Sequence, residues 1–258
     1  MRFGAAYWVQ RTGWPELREA VLHAEASGFD DQWVDDHLLS DEGAWQDAKL
    51  EGWSTLAAVA AVTRTSRLGL MVAANTFRNP GLTAKLATTL DHLSEGRAIL
   101  GIGAGWFARE HEAFGLDFGS GFGERLDRLA EAVPLIARSG DLWNAYGRPE
   151  ELAASDAILR AACDAVGRDE REIERTVNAN VVIRATREEA RDAWRGWVEA
   201  HLPQAGEDRL NAFGTVEDVA AELDRYRAVG FEHPVLIFRA PFDLETMSRL
   251  PELRAALG

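Results

Sequence analysis

A single cysteine, Cys163, stands in this 258-residue chain, so no intrachain disulfide can form. Its place in the apolar run Leu159-Arg160-Ala161-Ala162-Cys163 marks a helix-packing thiol, compatible with a reducing compartment. Positive charge is scarce as well: 28 Lys and Arg face 42 Asp and Glu, a formal net charge of -14. That balance excludes non-specific binding to nucleic acid or to an anionic membrane. No apolar run reaches the roughly 18 residues of a membrane span. Met1-Arg2-Phe3-Gly4-Ala5 does not open a basic-then-apolar leader, so the cytoplasm is the expected setting. Neither HExxH nor an HxH pair occurs. A metal-dependent hydrolase using Asp35, His37, Glu110 and His111 therefore ranks low, and no metal site is expected.

What the chain does have is a core-building composition, 47% hydrophobic, and a recurring strand-helix rhythm. Residues 2–8 read as a strand, 16–27 as an amphipathic helix stopped by Gly28, and 29–34 as a second strand ending in Asp35-Asp36-His37. A helix from Ser54, its expected N-cap, to Thr63 leads to a strand over 67–74. Pro80 opens a helix over 81–93, which Gly96 ends. The fourth strand starts at Ala98-Ile99-Leu100 and runs into Gly101, Gly103 and Gly105, followed by Trp106, Arg109, Glu110 and His111. Glycines at a strand end mark either close approach to a ligand or tight packing of chain on chain.

Further on, a helix is expected over 124–138, a strand over 141–146, a helix over 149–166, a strand over 176–183 and helices over 187–201 and 216–229. A strand over 234–239 and a helix over 244–257 end the chain. Of the nine tryptophans, Trp8, Trp33, Trp106 and Trp143 fall at or near strands, and Trp194 and Trp197 pack within a helix. His23, His92, His201 and His233 sit in helices or loops, structural or solvated. The alternation predicts an α/β fold with a parallel sheet, a single domain over 1–258, since one β/α barrel fills about 250 residues. Seven strands are read where a closed (β/α)8 barrel has eight. Either a βα unit is missing from the chain, or a segment near residues 137–140 is absent from the sequence.

The stretches WVDDHLL (33–39), WSTLAAVAAVTRTSRLG (53–69), ANTFRNPGLTAKLATTLDHLSEGRAILGIGAGWFAREHEAFG (74–115) and DLWNAYG (141–147) resemble the luciferase-like monooxygenase superfamily, in particular its coenzyme F420-dependent subgroup. The resemblance implies a TIM-type barrel of the bacterial luciferase type, its cofactor ring lying at the C-terminal ends of the strands. It places Asp36 and His37 near the ring, a non-prolyl cis peptide at Met71-Val72 behind it, and Gly103, Ala104, Gly105 and Trp106 on its side of strand four. Asn75, Thr76 and Arg78 become candidate polar contacts, although Arg78 equally suits a core carboxylate. His37 and Glu110 become the proton-transfer candidates, with Trp8 and Trp106 shaping the pocket and His111 the weaker candidate beside Glu110. In such relatives a fifth strand carries a glycine cluster that helps hold the cofactor's phosphate-bearing tail. Here Ala137-Arg138-Ser139-Gly140 follows the preceding helix almost directly. The activity implied is hydride transfer between F420 and a small organic substrate, in a homodimer. The alternatives are an FMN-dependent monooxygenase and a shortened, non-catalytic barrel.

Overall fold

A computed structural model describes residues 1–121, 124, 141–201 and 212–258. The chain opens with β1 (Gly4–Trp8), α1 (Trp14–Ser27), β2 (Asp31–Val34), α2 (Gly52–Val62) and β3 (Arg67–Leu70). A two-residue β4 (Ala73–Ala74), α3 (Pro80–Ser94), β5 (Ala98–Ile99), β6 (Ile102–Gly103) and α4 (Ala108–Phe114) follow. Past the next described residues come β7 (Leu142–Ala145), α5 (Pro149–Val166), β8 (Glu174–Ala179), β9 (Val181–Ile183) and α6 (Arg187–His201). The last part holds β10 (Ala212–Gly214), α7 (Val216–Ala228), β11 (His233–Arg239), α8 (Leu244–Ser248) and α9 (Leu250–Leu257). The helix expected over 124–138 lies, beyond Glu124, outside the described residues.

Seven strands form one sheet in the order β5-β3-β2-β1-β11-β8-β7, every pairing parallel. The fourth and sixth strands of the expected barrel are thus the two outer strands of this sheet, and the seam between them is where a fifth strand would close the barrel. Two short parallel pairs, β4 with β6 and β9 with β10, extend the sheet at the C-terminal strand ends. They exist because the long strands expected over 67–74 and 176–183 are interrupted. In the first, the peptide between Met71 and Val72 is cis, and the ladder resumes with Ala73 N–H donating to Gly101 O at 2.9 Å.

Both faces of the strands are covered, which is why the sequence shows apolar runs rather than alternation. Ala5 and Tyr7 of β1 face the helices, where Leu17, Val21, Leu56 and Leu223 pack. Ala6 and Trp8 point the other way, into an inner plug with Trp33, Met71, Val235 and Ile237. That plug is the floor of the site.

Three expectations need correction. Glu51, not Ser54, caps α2, its carboxylate accepting from the Trp53 and Ser54 amides. The helix expected over 244–257 is two, because Pro251 has no N–H to continue the first and sits well only in the first turn of the second. His233 belongs to no loop: it begins β11, buried between Asp31 at 2.5 Å and Glu174 at 2.9 Å. The expected helices 149–166 and 187–201 match α5 and α6.

A Cβ at Gly69 would lie 2.6 Å from the Trp33 ring and 2.9 Å from Ile99 O, so the floor of the site has no room for it. Gly69→Ala is expected to lower unfolding free energy by about 1–3 kcal/mol in urea titration, the usual overpacking range. An unchanged midpoint would contradict the tight floor.

Candidate functional site

Three ionisable residues leave β2 in succession, and each turns to a different partner. Asp35 is buried, accepts the Val9 amide at 3.1 Å and pairs with the ammonium of Lys49. Lys49 also reaches Asp41 at 3.3 Å. Burial opposes charge on Lys49, but the two carboxylates outweigh it and raise its pKa. Asp36 is held by both arms of the Arg78 guanidinium, at 2.6 and 2.9 Å, and by the Ala74 amide at 3.0 Å. Burial nonetheless lifts the Asp36 carboxyl above its usual range. Arg78 extends to the helix cap Glu51 at 3.0 Å, so it pairs with carboxylates.

His37 Nδ1 lies 3.0 Å from Glu110 Oε1. The other oxygen of Glu110 accepts the Leu38 and Leu39 amides at 2.9 and 3.4 Å. Glu110 is therefore a buried clamp that fixes both the imidazole and the backbone beyond it. Nε2 of His37 sits 3.7 Å from Asp41 Oδ2. Burial disfavours the imidazolium, but the Glu110 bond and the charges of Asp41 and Asp35 prevail and raise its pKa above the ordinary value. Trp106 and Phe107 stand edge-on to the ring, at 5.3 and 6.1 Å.

Adjoining this polar edge is a wall made of Met71, Val72, Ala74, Gly103, Ala104 and Gly105. Its glycines are dictated by chain packing: a Cβ at Gly105 would come 2.6 Å from Thr76 Oγ1, and one at Gly103 would strike the Val72 methyl. The same packing leaves no side chain at Gly103 and Gly105 of the wall. Wall, polar edge and the far side formed by Trp8, Tyr146, Asn180, Ile237 and Arg239 enclose a cavity of about 690 Å³. That volume falls within the roughly 300–1,000 Å³ usual for cofactor and ligand sites. These residues would suit a flat ring system, the wall offering it surface and Asp36 and His37 polar contacts.

The structure brings Asp36, His37, Met71, Val72, Gly103, Ala104, Gly105, Trp106 and Glu110 to this one cavity, with Trp8. Asn75 and His111 are not among its lining residues. The Asn75 amide donates to Gly103 O at 2.8 Å as part of the sheet. His111 is buried in the packing beneath, Nδ1 bound to Phe107 O at 2.9 Å and Nε2 to Thr76 Oγ1 at 2.7 Å. Sequence reasoning passed over Asp41, Glu42, Lys49, Asn180 and Arg239. The last two stand at or just past the C-terminal ends of β8 and β11, a position that by itself points to a barrel's site. The loop from Ser40 to Gly52 offered no such signal. Among the described residues, no helix is long and apolar enough to cross a membrane.

The family model for luciferase-like monooxygenases matches residues 1–139. An F420-dependent glucose-6-phosphate dehydrogenase from Amycolatopsis mediterranei is 35% identical over 146 residues, covering 55% of this chain and 42% of that protein. A 5,10-methylenetetrahydromethanopterin reductase from Archaeoglobus fulgidus is 28% identical over 239 residues, 88% of this chain and 66% of the relative. The chain thus spans less than two thirds of either relative's length. Among solved structures, an F420-dependent secondary alcohol dehydrogenase in complex with an F420-acetone adduct superposes with a TM-score of 0.77 at 17% identity, covering 100% of this chain and 99% of that one. A riboflavin lyase with modified FMN gives 0.80 at 14% identity, covering 100% and 91%. At these identities the structural likeness is one of fold.

Because its pKa is raised, His37 contributes stability that is fully present below pH 6.5, its ordinary value, and lost as pH rises through the folded-state pKa. His233 is raised too, so the variant isolates the effect. The stability difference between wild type and His37→Gln, measured by urea unfolding at a series of pH values, is expected to be largest in acid and to shrink on the alkaline side. A difference independent of pH would contradict the Glu110 contact.

Proposed function

Because the chain belongs to the luciferase-like monooxygenase family, we propose that it is an oxidoreductase that moves a hydride between coenzyme F420 and a small organic substrate. The observation that carries this reading is the one cavity that brings the β4–β6 wall together with the His37–Glu110 pair. Relatives named as F420-dependent enzymes support the choice of cofactor.

When bound, the deazaflavin supplies the carbon that gives or takes the hydride. Met71, Val72, Gly103, Ala104 and Gly105 present a surface for its ring, and Asp36, already fixed by Arg78, offers acceptor oxygens at the polar edge. Glu110 holds His37 by Nδ1, leaving Nε2 to exchange the proton of the reacting oxygen. In alcohol oxidation that nitrogen receives the hydroxyl proton as the hydride leaves carbon; in carbonyl reduction it returns one. Trp8 and Trp106 contribute aromatic surface to the cavity. The same reading includes a cytoplasmic homodimer, supported by Leu82 and Leu93, exposed three turns apart on the outer face of α3.

Titration of the protein with coenzyme F420, followed by tryptophan fluorescence, is expected to saturate, and titration with FMN is not. Saturation by FMN alone, with oxygen-dependent turnover of its reduced form, would replace this reading with a flavin monooxygenase. His37→Ala is expected to lower turnover by about 10²–10⁴-fold, the range for a lost acid-base group, while cofactor affinity changes little. Unchanged turnover would remove His37 from the chemistry.

A further inference from the structure

We propose that the substrate taken by this cavity is an uncharged alcohol or carbonyl compound rather than a phosphorylated or carboxylated one, and that Glu42 enforces this by neutralising Arg239. The inference deepens the hydride-transfer reading and rests on it for what becomes of the substrate; the selection by charge is a property of binding alone.

Of the described residues that line the cavity, five are carboxylates, Asp35, Asp36, Asp41, Glu42 and Glu110, and one is a guanidinium, Arg239. Arg239 would be the natural anchor for an anion, with its planar fork of donors. Its bidentate Nε–Nη2 edge is already taken by a carboxylate. Nε and Nη2 hold the two oxygens of Glu42 at 2.6 and 2.9 Å, and Nη1 holds Asn180 Oδ1 at 2.5 Å. Both side chains of the pair are buried, so the contact is poorly screened by water. The nearby cations Lys49 and Arg78 are likewise engaged by Asp35, Asp41, Asp36 and Glu51.

A phosphate entering here would have to displace a bidentate carboxylate from Arg239 and lie among carboxylates whose cations are already engaged, a cost that low dielectric magnifies. A hydroxyl or carbonyl faces no such cost. It can hydrogen-bond to His37, Tyr146 or the Asn180 amide while its apolar part lies against Trp8 and Ile237. One relative is named for a sugar phosphate; this cavity is built to refuse one.

Trp8 makes the test direct, since the Arg239 guanidinium lies 5.6 Å from the centre of its ring. Inorganic phosphate and glucose 6-phosphate are titrated separately into wild type and Glu42→Gln, following tryptophan fluorescence, with thermal melts to confirm folding. Wild type is expected to show no saturable response to either. Glu42→Gln, which keeps the shape and removes the charge that neutralises the guanidinium, is expected to gain at least about tenfold in apparent phosphate affinity, and Glu42→Gln/Arg239→Gln to lose that gain. Saturable binding of either anion by wild type overturns the proposal, as does a folded Glu42→Gln that gains nothing. If Glu42→Gln does not fold, the wild-type titration decides alone. The cofactor titration keeps the two readings apart: absence of F420 binding refutes hydride transfer and leaves charge selection standing, whereas glucose 6-phosphate binding by wild type does the reverse.

Discussion

Burying two ionisable side chains and half-burying a third, in succession at the end of one strand, sets the terms for the rest of the site. Asp35, Asp36 and His37 cannot remain charged in the closed mouth of the sheet without partners. Each therefore pulls a different piece of chain inward: Lys49 brings the loop before α2, Arg78 the turn before α3, and Glu110 the helix α4. Removing one partner of a buried pair typically costs about 3–5 kcal/mol, because a charge is left stranded. The ions that line the cavity are thus the same ions that fix its loops, and the geometry of the site is bound to the stability of that end of the molecule.

The other half of the site comes from the backbone. The two edges, β4 and β6, approach so closely that glycine is required at Gly103 and Gly105 by the chain itself. A ligand explanation of those glycines is unnecessary, yet the packing that demands them also leaves those two positions of the wall without side chains. Structural and functional readings of the motif are therefore one fact seen from two sides. Among the described residues no strand joins β5 to β7, and the support of this wall comes from β3 and the Met71–Val72 segment.

The strand-helix rhythm was legible in the sequence because buried parallel strands and amphipathic helices leave strong periodic marks, and α5 and α6 match their expected bounds for that reason. Asp36 and His37 were legible by position, at the end of a barrel strand. Glu110 and His111 are neighbours in the sequence, His111 the weaker candidate, and neighbours on a helix point about 100° apart. Glu110 consequently meets His37, while His111 turns to Thr76. Lys49, Asp41 and Glu42 were not legible, because a loop without periodicity acquires its partners only when the tertiary structure closes. The breaks at Met71–Val72 and within the last helix were obscured by unbroken apolar patterns.

One contact, Glu110 to His37 Nδ1, orients the imidazole at the cavity and raises its pKa. Nitrogen NMR of the His37 ring across a pH titration reads that contact most directly. The account predicts a proton fixed on Nδ1, an apparent pKa above the ordinary 6.5, and a fall in that pKa in Glu110→Gln. A ring that titrates at or below its ordinary value, or one indifferent to Glu110→Gln, would contradict it.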